Sequence, residues 1–189
     1  VETSVDDLRR VRDAESKGYK PGPYVEPLQL QVVCLRLWDA LPPGTTQIVA
    51  GDVEKMGNVD TALGDYYADR VKEIATQWGV PERSIRDWFD QELIISEQGI
   101  RRPIPQGAES SQGLDNEIIK ALEDAHLVRA EERAGAIWFE LVHDRMVQPV
   151  LANNDDAHRT AADLVRAGVR VAGVIDTRDD PPTSGDYPV

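Results

Sequence analysis

The run Ala136–Met146 constrains the fold more than any other stretch of the chain. Ile137, Phe139 and Leu141 alternate with Trp138, Glu140 and Val142, the period-2 pattern of a half-buried strand. Asp144 then suits the N-cap of a following helix, because its carboxylate can accept the orphan backbone N–H groups of a first turn. A strand that runs straight into a helix puts His143 at the junction, its imidazole beside a helix N-terminus. Such junctions carry function more often than strand middles do. On the residues alone, a single histidine there is first a structural residue.

The segments upstream supply neighbours for that strand. A helix is expected over 60–78, with Leu63, Tyr67, Val71, Ile74 and Trp78 on one stripe and Gly79 to end it. Pro81 opens another, through Leu93, with Ile85, Trp88, Phe89 and Leu93 inward. A loop with strand-like ends, Ile94–Ile95 and Ile100–Ile104, leads to a Ser/Gly-rich, mobile stretch over 107–113. A third helix follows from Asp115 to His126, with Leu114 and Ile119 at the positions of a hydrophobic staple. Leu127–Glu132 and Ala136–Val142 form a hairpin across Arg133-Ala134-Gly135. Helix, helix, helix, strand, strand, helix is the winged-helix order, covering about 60–154. The fold class expected is mainly α with a small β-hairpin, a winged-helix domain preceded by a helical segment.

That helical segment spans 26–40, with Pro27 in its first turn, where a missing N–H costs nothing. Leu28, Leu30, Val32, Val33, Leu35, Leu37 and Trp38 make it apolar on more than one side, so packing on two faces is expected. Before it, Val5, Leu8 and Val11 suggest a short amphipathic helix over 6–16, and within 45–59 the run Gln47-Ile48-Val49-Ala50 reads as a short strand or extended arm. The four tryptophans, Trp38, Trp78, Trp88 and Trp138, read as core residues.

Winged helices suggest DNA, but charge argues against it. The chain of 189 residues carries a formal net charge of −13. The third helix sets Asp115, Glu117, Glu123 and Asp124 against a single Lys120, and phosphate contacts need Lys and Arg. Neither nucleic acid nor membrane is an expected partner, since no apolar run is long enough to cross a bilayer. The one cysteine, Cys34, cannot form an internal disulfide, which fits a reducing, cytoplasmic setting.

Two runs carry a family resemblance: Tyr24-Val25-Glu26-Pro27-Leu28-Gln29-Leu30-Gln31-Val32-Val33-Cys34, and Trp138-Phe139-Glu140-Leu141-Val142-His143-Asp144-Arg145. Together they resemble the C-terminal half of a bacterial STAND-class NTPase module, AAA+-related signalling ATPases that include the apoptosome protein and NLR immune receptors. In that class a nucleotide-binding core is followed by a small helical domain and a winged helix. Val142-His143-Asp144 resembles the family's MHD motif, with Val for Met. The resemblance implies that His143 contacts the β-phosphate of ADP and holds the inactive state closed, with Asp144 supporting it. Pro27 resembles the proline that packs near the adenine, although Val25 stands where the family has glycine. The division implied is 1–22, a polar N-terminal segment; 23–58, the end of the small helical domain; 59–154, the winged helix; and 155–189, a C-terminal helix and flexible tail or linker. An upstream nucleotide-binding domain, a downstream sensor or repeat domain and oligomerisation of the parent are the partners implied. The start at Val1 fits a piece of a longer protein.

Catalytic motifs are scarce. No Gly-x-x-x-x-Gly-Lys-Ser/Thr occurs, so this segment is expected to hydrolyse nothing and hold no cofactor by itself; ADP or ATP belongs to the parent. His126, His143 and His158 lack metal-site spacing. No Gly-x-Ser-x-Gly supports a nucleophile. The function that the resemblance implies is regulatory, closing over ADP bound in the parent and relaying a domain rearrangement, with a stand-alone protein-interaction winged helix as the alternative and a DNA-binding regulator a distant third.

Overall fold

The computed structural model describes residues 9–12, 19–25, 27–49, 51–52 and 59–167. Its first element is a hairpin, β1 (Arg10–Arg12) against β2 (Tyr19–Pro21), closed where the Gly22 N–H donates to the Arg9 carbonyl at 2.6 Å. The helix expected over 6–16 is thus a strand where it is described; the rest of that span lies outside the described residues. Lys20 and Gly22 each precede a proline, which biases both toward extended backbone and prepares a ladder partner for β1.

Helix α1 (Pro27–Ala40) lies against α2 (Val59–Trp78). Val32, Val33 and Leu37 are buried there, while Leu30, Leu35 and Trp38 are exposed, so only one of the two expected faces is packed. The expected strand or arm over 47–50 has no regular structure as far as 49 and leaves Ile48 and Val49 exposed; 50 and 53–58 lie outside the described residues. In α2 the stripe Leu63, Tyr67, Val71 and Ile74 is buried as expected, but Trp78 is exposed at the helix end. Gly79, at φ +66°, lets the Val80 N–H return to the Ala75 carbonyl at 3.0 Å and close the helix.

Helix α3 (Glu82–Trp88) runs on as one π-helical turn, Phe89–Leu93. Phe89 meets Tyr67 and Trp88 edge-on, with ring centroids 5.1 and 5.5 Å away. Next come the hairpin β3 (Ile94–Ile95) and β4 (Ile100–Arg101), then β5 (Ile104–Pro105). The stretch expected to be mobile is a tight hairpin, β6 (Ser110–Ser111) with β7 (Leu114–Asp115). It is pinned by Trp88, whose indole N–H donates to the Ser111 carbonyl at 2.9 Å. Glycine is required at 107, where a Cβ would stand 2.0 Å from the Ser110 carbonyl oxygen.

Asp115 caps α4 (Asn116–Asp124) by accepting the Glu117 N–H at 2.8 Å, and Leu114 and Ile119 are both buried. The long hairpin is β8 (Val128–Arg133) and β9 (Ala136–Leu141). Ala134 at φ +52° and Gly135 at φ +78° form the two-residue turn, both left-handed as a type I′ turn demands. β9 is the centre of a three-stranded antiparallel sheet of order β5-β9-β8, with Ile104 opposite Phe139. Phe139 and Leu141 face the core, whereas Ile137 is 43% exposed beyond the reach of the helices.

After a 3₁₀ turn, Asp144–Met146, α5 runs unbroken over Val147–Arg166. It continues through the division placed at 154–155, where a separate C-terminal helix is expected to follow. Asparagine disfavours helix interiors by bonding its own backbone, but the Asn154 side chain is spent on other helices instead. The tail over 168–189 lies outside the described residues. The architecture is a mixed α/β one, with five α-helices and four small antiparallel sheets among the described residues, rather than a helical fold with one hairpin. No helix among them is long and apolar enough to cross a membrane.

One continuous core joins Phe139, Leu141, Ile118, Leu122, Ile74 and Trp88. Phe139→Ala should cost about 3–5 kcal/mol, as buried aromatic truncations do, and Ile137→Ala about 0.5 kcal/mol or less, as surface changes do. Equilibrium urea unfolding measures both; equal costs would contradict this packing.

Candidate functional site: an arginine-held histidine turn

His143 stands where β9 gives way to the 3₁₀ turn, with extended backbone at φ −150° and ψ 144°. It is the cap residue. Its Nδ1 accepts the Arg145 backbone N–H at 3.1 Å. The expectation that Asp144 would cap the following helix is therefore corrected by one position. The physical reason is that Asp144 has a stronger partner: its carboxylate accepts from Arg101 Nε at 2.5 Å. A ring nitrogen that accepts a hydrogen bond carries no proton, so the proton of neutral His143 sits on Nε2.

Two arginines hold this turn from different sides. Arg145, 3% exposed, donates from Nε to Asp60 Oδ1 at 3.0 Å and ties the turn to the start of α2. Arg101, on β4, donates to Asp144 and also, through Nη1, to the Leu141 carbonyl at 2.9 Å. The same Nη1 lies 3.5 Å from Glu140 Oε1.

Glu140 is buried on the face of β9 that looks away from the core, and arginines surround it. Arg129, its cross-strand partner, donates to Oε1, and Arg133 approaches Oε2 at 3.3 Å. Arg133 also pairs with Glu131 at 2.6 Å, which lowers the Glu131 carboxyl below its ordinary range and raises the Arg133 guanidinium. A buried carboxylate needs such partners to stay charged. A line of ion pairs thus runs from the tip of the long hairpin, through Glu140 and Arg101, to the residue after His143.

Pro27 is exposed at the start of α1, and α1 packs on α2, the helix whose start also meets the His143 turn. His143 and Asp144 are together by sequence; Arg101, Glu140, Arg145 and Asp60 are the partners that the sequence did not single out. On α4, Lys120 is occupied by Glu123 at 3.1 Å and Asp124 at 2.7 Å, which raises its ammonium above the ordinary lysine range. Among the described residues, no three His, Cys, Asp or Glu side chains stand together as a metal site needs.

No protein-family model matches the chain, and no curated protein or solved structure is detectably similar to it.

A second polar cluster is interior. Asn154, fully buried, accepts at Oδ1 from the Tyr67 hydroxyl at 3.0 Å and from Arg86 Nη1 at 2.9 Å. Its Nδ2 donates to Asp90 at 2.8 Å and to the Arg86 carbonyl at 3.3 Å. Burial raises the Tyr67 phenol far above its usual range, against the opposing pull of Arg86. Burial likewise raises Asp90, against the Asn154 hydrogen bond and the nearby His158. This cluster joins α2, α3, the π-helical turn and α5, so its effect is on stability.

The sign follows by linkage. A carboxyl raised in the folded state binds its proton more readily there than in the unfolded chain. Its charge costs stability above the folded pKa, and that cost disappears as pH falls toward the unfolded value of about 3.9. Asp90→Asn keeps an acceptor for Asn154 and removes the charge. The variant should therefore be more stable than wild type at about pH 7 and no more stable at about pH 4. Thermal unfolding at the two pH values checks this, and a gain larger at the acid end would contradict it.

Proposed function

We propose that this chain is the regulatory winged-helix region of a STAND-type signalling ATPase, closing over ADP bound elsewhere in the parent and relaying the nucleotide state by domain rearrangement. The observation that carries the reading is the His143 turn. A histidine whose Nδ1 is committed to a backbone N–H presents its proton on Nε2, the form suited to donate to a phosphate oxygen. The 3₁₀ turn that leads into α5 begins beside it, and the positive end of the helix dipole favours an anion there, while the Arg145 and Met146 amides themselves bond to His143. The strand order β5-β9-β8, with α4 ahead of the long hairpin, supports the winged-helix assignment.

In this reading residues 23–58 close the small helical domain and 59–154 form the winged helix. The exposed side of α1, with Leu30, Leu35 and Trp38, then suits a face that a neighbouring domain covers. The same face favours the second reading, a stand-alone protein-interaction module without a nucleotide. A P-loop encoded upstream in the same reading frame separates the two. The DNA-binding reading is the least favoured, because Lys120 is already neutralised by its own helix. Duplex DNA titrated at physiological salt should bind no tighter than the non-specific range of about 10⁻⁴–10⁻⁶ M; nanomolar affinity would revive the regulator.

His143→Asp tests the nucleotide reading without losing the cap, since aspartate is among the best N-cap residues. In the full-length protein it sets a carboxylate against the phosphates. A hydrogen bond to a charged group contributes about 1.5–3 kcal/mol, so ADP retention should fall about tenfold or more while the melting temperature holds. Nucleotide content after purification is the readout. Unchanged ADP content in a folded variant would leave His143 a structural cap and nothing more.

A further inference from the structure

We propose that Arg101 is the positioning residue of the His143 turn, holding the imidazole in its Nε2–H form and fixing its direction from outside the core. The inference concerns how His143 is held; what the imidazole meets rests on the nucleotide reading above.

The geometry is specific. β5 pairs with β9 no further along than Phe139, so the ladder ends two residues short of Leu141 on that side. On the other side, the Val142 N–H donates to the Leu127 carbonyl, which turns the Leu141 carbonyl away from β8. Arg101 Nη1 supplies the missing donor at 2.9 Å. Its Nε reaches across to Asp144 at 2.5 Å. One guanidinium thus grips residue 141 before His143 and residue 144 after it, leaving His143 as the apex of a bridged turn.

That bridge sets the direction of the Arg145 N–H, because Asp144 precedes it, and the Arg145 N–H is the donor that occupies His143 Nδ1. Arg101 itself is held by Glu140, which the two hairpin arginines hold in turn. Guanidinium geometry is required. A lysine ammonium is a single point of charge and cannot span both acceptors in the fixed fork that arginine provides.

The readout is the pair of ring nitrogens of His143, by 15N NMR of this chain at about pH 8.5, above the ordinary histidine pKa near 6.5. In the wild type the two shifts should lie far apart, one bare and one protonated nitrogen. Arg101→Lys and, independently, Asp144→Asn should draw them together as the Arg145 N–H loses its hold on Nδ1. Arg102→Lys is the control, since Arg102 holds the Glu92 carbonyl and carboxylate instead. A His143 signature left unchanged in folded Arg101→Lys overturns the proposal. If that variant unfolds, an unchanged signature in Asp144→Asn overturns it, because the exposed Asp144 is the far end of the bridge. Collapse of the two shifts with ADP retention intact in the full-length protein keeps this positioning role and defeats the nucleotide reading instead.

Discussion

Asn154 is the residue on which the arrangement of the helices depends. A side chain with no exposure, in the middle of α5, bonds at once to the Tyr67 hydroxyl on α2, to the Arg86 guanidinium and carbonyl on α3, and to Asp90 on the π-helical turn. Each partner is itself wholly or partly buried, so loss of the amide would strand several polar groups away from water, at about 1–3 kcal/mol for each. Arg86 adds Asn153 at 2.7 Å and lies over the Tyr67 ring. An apolar contact tolerates sliding, but a four-way hydrogen-bonded node does not. It fixes the register of α5 along α2, and with it the place where α5 begins.

The place where α5 begins is the place where His143 sits. The start of α2 is fastened to the same turn by Arg145 and Asp60, and the sheet is fastened to it by Arg101 and Asp144. The turn is thus held from the helical layer and from the sheet at once, while His143 itself remains only partly covered. On the proposed reading, such a turn presents the imidazole in one direction to the nucleotide-binding part of the parent. The arrangement also gives the long hairpin a route to that imidazole, because Arg129 and Arg133 share the buried Glu140 with Arg101. A group that drew those arginines away would loosen the grip on residues 141 and 144.

Much of the fold was legible where pattern and chemistry agreed. The stripe of α2, the Asp115 cap with Leu114 and Ile119, and the strand Phe139–Leu141 all followed from period and turn residues. The failures share a cause, which is that tertiary partners override local preference. The stretch about Asn154 reads as the boundary before a separate C-terminal helix, and the partners of Asn154 on three other segments hold one unbroken helix instead. Asp144 reads as a cap until Arg101, forty-three residues earlier, claims its carboxylate. Trp38 and Trp78 read as core because size and helical spacing are visible in sequence and the number of neighbouring helices is not. At the candidate site, His143 was found from its junction, but its clamps were not. One signal did exist. A two-residue turn at Ala134–Gly135 forces Arg129 opposite Glu140, and an acid facing an arginine in mid-strand marks a pair that the sheet can bury.

The central claim is that His143 meets a nucleotide phosphate across a domain boundary. The most direct measurement is a structure of the full-length protein with ADP bound. The account predicts His143 Nε2 within hydrogen-bond distance, about 2.7–3.2 Å, of a β-phosphate oxygen, with Nδ1 still on the Arg145 N–H. A nucleotide bound far from this turn, or a turn packed against a protein surface that holds no nucleotide, would contradict it.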